Sequence, residues 1–369
     1  RAMATEPFFL LARSRTERAL AALVPMLLEL VKQTPDPDST LENLARIAAA
    51  VGGRATFYDL LGGSPKVLRL YCDLAGWATY LVNLLGEVPG LPDELADSLN
   101  QPARRPDMLL REARFLVQGI TDLVPPLRFF QARELAATAV RDLEDWTQPQ
   151  VQRHLSHLAI AITGVVLERS IGERAREWGL PVEGYRQTRF AVLGVGKLGS
   201  RELSYASDMD VIFVADPGGT CRRNGRSGDE FWTRVAQDVM RVLGEGRIYE
   251  IDPRLRPWGD GSELVPNLDA LRRYWSEPRD LWERMAMLRL AHVAGDPTIS
   301  GECIELIRGT ALLAPLPLDA AREVRDMRRR LEDSVAGRDH VKRGWGGYVD
   351  HEFIAHYRSF GVAPADLPP

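Results

Sequence analysis

Near residue 187 the hydrophobic pattern of this 369-residue chain changes its period, and that change limits the folds open to it. Up to about residue 182, apolar residues recur at the three- and four-residue spacing of helices. ERALAALVPMLLELVKQ is one such stretch. DSTLENLARIAAAVGG is another, with Ser39 or Thr40 as the expected N-cap and a glycine pair as the stop. Ser64-Pro65 reads as a cap and first-turn proline opening KVLRLYCDLAG. The prolines at 89, 92, 102 and 106 mark a break. Two long helical patterns follow, roughly 107–145 with a kink expected at Pro125-Pro126, and 147–178. No clean repeat period runs through this half, which reads as a helical bundle for packing or docking.

Beyond 187 the chain offers short apolar runs instead. RFAVLGVG reads as a strand entering a glycine turn, and DVIFVAD as a strand buried on both faces. PGGTCRRNGRSG is a polar loop, DEFWTRVAQDVMRVLG an amphipathic helix, and RIYEIDPRLRP a third strand ended by Pro257. From about 266 the pattern returns to helix. The expectation is a predominantly helical α+β fold with a small mixed sheet between helical regions: a helical domain over 1–182, a core over 183–300 and a C-terminal helical region over 301–369.

Composition narrows the function. Hydrophobic residues are 45% and charged residues 27%, ample for more than one core. A net charge of -4 advertises no basic surface, so nucleic acid is not an expected partner. Cys72, Cys221 and Cys303 form no C-x-x-C pair, which argues against a disulfide framework or cysteine zinc site and fits a reducing cytoplasm. No unbroken run of about 18 apolar residues argues for a membrane span. The start lacks an initiator Met and any convincing signal-peptide cleavage pattern, and ADLPP follows a helical pattern closely. Both ends read as cuts in a longer chain.

Gly194, Gly196 and Gly199 spell G-x-G-x-x-G after a strand, and Asp216 stands 22 residues after Gly194, the spacing of a dinucleotide-binding fingerprint. Two features oppose that reading. Ser200 to Ser207 leaves about two turns for the helix the unit needs. Asp208 and Asp210 also head the second strand, where such a fold is apolar.

Those two acids read better as chemistry. Residues i and i+2 of a strand share a face, so Asp208 and Asp210 stand side by side. Close carboxylates repel unless a cation lies between them, and Mg²⁺ takes carboxylate and phosphate oxygens. Asp252, with Glu250, supplies a third acid from the third strand, giving what a two-metal phosphoryl site needs. The competing reading is a capping or turn role. The Gly199-Ser200 bend would let backbone N–H groups approach phosphate, and Lys197 lies in it. Arg254 and Arg256, expected on the same face of the third strand, would either bind phosphate or pair with Asp208 and Asp210.

GVGKLGSRELSYASDMDVIFV and YEIDPRLRPWGDGSELV resemble the signature segments of glutamine synthetase adenylyltransferases, the bifunctional adenylyltransferase/adenylyl-removing enzymes of the polymerase-β-like nucleotidyltransferase superfamily. LWERMAMLRLAHVAGD, KRGWGGYVDHEF and, upstream, GGRATFYDLLGGSPKVLRL resemble further family segments in the same order. Tyr249-Glu250 and Asp350 before Glu352 look more like the adding unit than the removing one. The resemblance implies transfer of AMP from ATP to a tyrosine hydroxyl of glutamine synthetase, with Mg²⁺, under control of a PII-type signalling protein. It makes Asp208, Asp210 and Asp252 metal ligands and places Gly196, Lys197, Gly199, Ser200, Arg254 and Arg256 around the nucleotide. Ser200 departs from the family's usual glycine, Ala291 stands where an arginine is expected, and Trp345, Tyr348 and His351 are bulky variants. The rivals are phosphate-driven removal of AMP and a non-catalytic docking module.

Other constellations carry less. The histidines of His351-Glu352-Phe353-Ile354-Ala355-His356 lie about 140° apart on a helix and do not share a metal easily. Asp350 and Glu352 either reach the cleft or form a solvated acidic helix start. His154 and His157 read as satisfied or exposed, Trp282-Glu283-Arg284 as packing against the sheet, and Arg325 to Arg330 as a solvated face with Glu323 and Asp326 near enough to pair.

Overall fold

A computed structural model describes residues 13–52, 55–98, 102–180, 189–216, 227–312, 314–335 and 340–360. The chain divides into two compact units, one of residues 1–158 with 204–206 and one of 159–203 with 207–369.

The first unit is built of α1 (Arg13–Val31), α2 (Pro37–Ala50), α3 (Ala55–Gly63), α4 (Pro65–Trp77), α5 (Thr79–Glu87), α6 (Leu91–Ser98), α7 (Pro106–Leu116) and α8 (Val124–Glu144), and it takes in the start of α9 (Gln148–Glu177). Ser64 caps α4 as expected, its side chain accepting from the Val67 amide ahead of Pro65. The cap of α2 is Asp36, not Ser39 or Thr40. Its carboxylate accepts from the Ser39 amide at 3.1 Å, and Pro37, which needs no N–H partner, takes the first turn. The expected kinked helix over 107–145 is two helices. α7 ends at Leu116, the chain turns through Gly119 (φ +74°), and Pro125 and Pro126 lie in the first turn of α8. There a missing N–H breaks no hydrogen bond. Glu134 is buried inside this unit, with Arg104 at 2.8 Å and the buried His154 ring at 3.7 Å. Among the described residues, α9 is the one helix long and apolar enough to cross a membrane by length and composition, and 61% of that stretch is buried inside the protein.

The second unit holds a four-stranded mixed sheet in the order β3-β2-β1-β4. In chain order the elements are β1 (Arg189–Gly194), α10 (Gly196–Gly199), β2 (Met209–Asp216), α11 (Gly228–Gly244), β3 (Ile251–Asp252), α12 (Leu268–Trp275), α13 (Leu281–Ala286), β4 (Ala291–Gly295), α14 (Pro297–Ile307), α15 (Ala320–Asp333) and α16 (Tyr348–Ser359). β1 runs antiparallel to β2 and β4, and β2 parallel to β3.

Strand alternation sorts the two faces. Phe190 and Phe213 lie on one face, where Phe190 stacks on Trp232 of α11 at 4.8 Å. Ala191, Leu193, Ile212 and Val214 lie on the other and pack with Leu271, Ile299 and Cys303. Asp210 shares the parity of Ile212 and Val214, so it sits at the end of this second apolar face.

The expected third strand shrinks to two residues. Arg247 adopts a left-handed conformation (φ +52°) before it, and beyond Pro253 the chain turns back, with Arg256 N–H donating to the Pro253 carbonyl. Arg254 and Arg256 therefore do not continue that strand. β4 lies where the sequence pattern predicts only helix. Arg284 is buried and donates to the carbonyls of Ala311, Ala314 and Pro315, closing the π-helical turn after α14. The helix of Trp282 does pack on the sheet, through Leu281 and Met285, while Trp282 itself stands 47% exposed.

Candidate active site

The antiparallel pairing of β1 and β2 dismisses the dinucleotide reading. Gly194 pairs with Val211 and Arg189 with Asp216, so the glycine turn and Asp216 occupy opposite ends of the pair. A dinucleotide fold needs parallel strands with both features at their carboxyl ends. Asp216 is instead bound by Arg189, which also holds Glu302.

The acid cluster forms. Asp208 precedes β2 and is exposed, Asp210 lies within it half-buried, and Asp252 stands beside Asp210 in the parallel register of β3. One carboxylate oxygen from each lies within 4.8 Å of the others. Burial, and then the charges of Asp208 and Asp252, push the Asp210 carboxyl up to about 6. The Arg254 and Lys342 charges oppose that rise. Asp252 moves the other way: Arg254 grips both its oxygens with Nε at 2.9 Å and donates its backbone N–H to one, holding the carboxyl below its ordinary value. A half-buried acid that resists ionisation beside two further carboxylates is a site short of positive charge.

The glycine turn abuts the acids. Val195 N–H donates to the Asp210 carbonyl at 2.9 Å, joining turn to strand. Gly196 has φ +52°, and a Cβ there would lie 2.7 Å from Asp210 Oδ2. Only glycine meets both demands. Gly199 lies against the 287–289 turn, where a Cβ would stand 1.6 Å from the Arg289 carbonyl oxygen. Lys197 is half-buried within the turn. Ser200 Oγ donates to Glu202 at 2.8 Å and to the Gly196 carbonyl at 3.2 Å, so its hydroxyl is engaged within the turn. Arg256 is nearly buried and donates to the Pro253 carbonyl.

Three basic residues carry roles that sequence reasoning missed. Arg289 Nη1 lies 3.3 Å from both Glu202 and Glu352, tying α16 to the glycine turn. Lys342, from the turn before α16, is close enough for its charge to act on Asp210. The basic start of KRGWGG was the available signal. Arg201, with φ +61°, donates to the Leu198 carbonyl (2.9 Å) and the His292 carbonyl (2.8 Å), fastening the turn to β4. Glu352 thus connects to the site through Arg289, whereas Asp350 is taken by Arg328. Arg328 is therefore not part of a solvated basic face. Ala291 opens β4 opposite Gly194. His351 is exposed and His356 half-buried. Among the described residues, the acid triad is the one group of metal-type ligands that meets.

The family model described as glutamate-ammonia ligase adenylyltransferase matches residues 69–304, a span that holds the glycine turn, the three acids and β4. A protein of Psychromonas ingrahamii named bifunctional glutamine synthetase adenylyltransferase/adenylyl-removing enzyme is 31% identical over 93% of this chain. Proteins of the same name from Aromatoleum aromaticum, 33% identical over 93% of the chain, and Thioalkalivibrio sulfidiphilus, 31% identical over 95%, are similar to it too. The chain spans 37–38% of the length of these curated relatives. With the family model covering well over half of it, the chain belongs to the glutamate-ammonia ligase adenylyltransferase family.

Proposed function

We propose that this chain carries a Mg²⁺-dependent nucleotidyltransferase site that moves AMP from ATP to a tyrosine hydroxyl of glutamine synthetase. The observation that carries the reading is the meeting of three carboxylates within 4.8 Å beside a close-packed glycine turn. The donor set fits the cation: three hard oxygens, one of them on an acid whose ionisation its neighbours oppose. Asp208, Asp210 and Asp252 would hold Mg²⁺, which when bound would supply counter-charge to the triphosphate and lower the pKa of the acceptor hydroxyl.

The chain's own residues do the rest. Gly196 and Gly199 keep the turn free of side-chain bulk, so backbone N–H groups reach phosphate oxygens. Lys197, Arg254 and Lys342 bring positive charge to the leaving group and the acceptor. In the transfer, the phenolic oxygen bonds to the α-phosphorus and its proton leaves for solvent or a neighbouring carboxylate. The bond from the α-phosphorus to the bridging oxygen breaks, and pyrophosphate departs with the electron pair. With α-labelled ATP, Mg²⁺ and glutamine synthetase, the protein should label its partner, and Asp208→Asn should abolish labelling while leaving circular dichroism unchanged. Normal labelling by that variant would sink the assignment.

The relatives' name also covers removal of AMP, so the reverse direction is the second reading. There a phosphate oxygen bonds to the phosphorus of the tyrosyl-AMP, the bond from that phosphorus to the tyrosine oxygen breaks, the phenolate departs with the electron pair and takes up a proton, and ADP is formed. Adenylylated glutamine synthetase with phosphate yields ADP under that reading and none under the first.

A further inference from the structure

Beside Arg254, the partner of Asp252, lies a cavity of about 280 Å³ walled by Trp258, Tyr274 and Trp282, with Arg254, Arg256 and Glu283 as its charged lining. Trp258 and Trp282 are 53% and 47% exposed, large aromatic surfaces left in solvent next to the acids. Trp258 meets Tyr274 edge to face at 4.9 Å. Its backbone is left-handed, with φ +56°, a conformation that costs a bulky residue energy and persists only when its surroundings enforce it. The enforcement is local: Gly259 N–H donates to the Arg256 carbonyl at 3.0 Å, and Ser262 Oγ donates to the carbonyls of Pro257 and Gly259. The bend after Arg256 thus holds an indole outward against strain.

The sheet order fixes what can enter. Asp208 leads into β2, which carries Asp210, the glycine turn follows β1 on one side, and β3 carries Asp252 on the other. In phosphoryl transfer the attacking and leaving oxygens lie roughly in line. With the triphosphate at the glycine turn, the attacking oxygen comes from the β3 side, where Asp252, Arg254 and this cavity lie together. We propose that the Trp258–Tyr274–Trp282 cavity seats the phenol ring of the acceptor tyrosine, with Arg254 near the oxygen that attacks. This rests on the transferase reading above. The cavity suits one aromatic ring in size, below the range of about 300–1,000 Å³ usual for drug-sized ligands. Its aromatic walls suit the ring's faces and edge. The two arginines of the lining favour the negative charge that grows on the oxygen as its proton leaves, and Glu283, the acid of that lining, is engaged by the Tyr274 hydroxyl. Tyr274 takes no part in that chemistry: burial, and then its hydrogen bond to Glu283, push its hydroxyl up to about 12, so it stays protonated.

The test compares wild type with Trp258→Ala and Trp282→Ala. It reads steady-state transfer to unmodified glutamine synthetase, and calorimetric binding of Mg²⁺-ATP and of glutamine synthetase separately. Both tryptophans are half-exposed, so the variants should fold. The acceptor KM should rise tenfold or more in Trp258→Ala, with nucleotide affinity within twofold of wild type and partial rescue by Trp258→Phe. A comparable fall in ATP affinity would give the cavity to adenine and overturn the proposal. Unchanged acceptor KM and unchanged nucleotide affinity would overturn it as well. If wild type transfers no AMP, the transferase reading fails, and the binding arm still decides the cavity: weaker glutamine synthetase binding by Trp258→Ala upholds an acceptor role, and equal binding ends it.

Discussion

Replacing Gly199 with alanine tests whether the glycine turn is held by main chain packed on main chain. The added Cβ would stand 1.6 Å from the Arg289 carbonyl oxygen and 2.7 Å from that of Gly194, atoms no rotamer change can remove. Carbon needs about 3.5 Å for an ordinary contact, so the turn and the 287–289 segment must part by roughly 2 Å. Overpacking of this kind costs about 1–3 kcal/mol. At about 2–4 °C per kcal/mol for a unit of this size, the melting temperature should fall by several degrees. The same displacement moves the turn away from Asp210, and a misplacement of about 1 Å is enough to cost roughly a hundredfold in rate. AMP transfer should therefore fall at least that far at temperatures where the variant is still folded. Gly172→Ala is the opposing control. Gly172 lies inside α9 with nothing within 4 Å of its added Cβ. Alanine there should add about 0.5–1 kcal/mol of stability and leave transfer unchanged. Thermal unfolding followed by circular dichroism, with a transfer assay beside it, reads both. A Gly199→Ala protein with wild-type melting and wild-type transfer would refute the close-contact reasoning.

Three further outcomes follow from the site. Mg²⁺ at about a hundred times its dissociation constant should raise wild-type stability by about 2.7 kcal/mol and leave Asp210→Asn unmoved; equal shifts in calorimetric melts would remove Asp210 from the ligand set. Arg254→Ala should tighten Mg²⁺ binding, because the guanidinium occupies the oxygens of Asp252. An exposed pair is worth at most about 1 kcal/mol, so titration calorimetry should show a gain of no more than about fivefold, and weaker binding would contradict the competition. Burial, and then the charge of a nearby arginine, hold His292 and His356 below the ordinary value of 6.5. A base depressed in the fold adds stability that is present above its unfolded value and lost as pH falls through its folded one. Urea midpoints should therefore drop below pH 6.5, and His356→Gln should soften that decline; an unchanged slope would clear His356 of any part in it.

What the sequence disclosed was local. Asp208 and Asp210 share a face because a strand alternates, whatever surrounds it, and β1 and β2 showed themselves as apolar runs too dense for a surface. Ser64-Pro65 announced its own helix. The misses required partners far along the chain. AHVAG is a strand because β1 pairs with it, through a register shift between Val192 and Leu193 that no period in those five residues predicts. RIYEIDPRLRP alternates well enough for a long strand, yet Pro253 interrupts it and the Arg254 guanidinium folds back onto Asp252. Asp36 outbid Ser39 for the cap because Pro37 starts the helix earlier. Arg289 and Lys342 lie far from the acids in sequence, and only the packing of α16 and the 287–289 turn brings Arg289 to the glycine turn and the charge of Lys342 to Asp210.

The brevity of β3 has a consequence for how the site comes together. Two residues tie it to β2, reinforced by the Met209 amide donating to the Glu250 carbonyl at 2.8 Å. So small a graft retains little intrinsic hold on the sheet. Its carboxylate is held by the neighbouring Arg254 guanidinium. Under the function proposed above, an ion that takes the same oxygens would have to part that pair, so its measured binding strength would include the work of doing so.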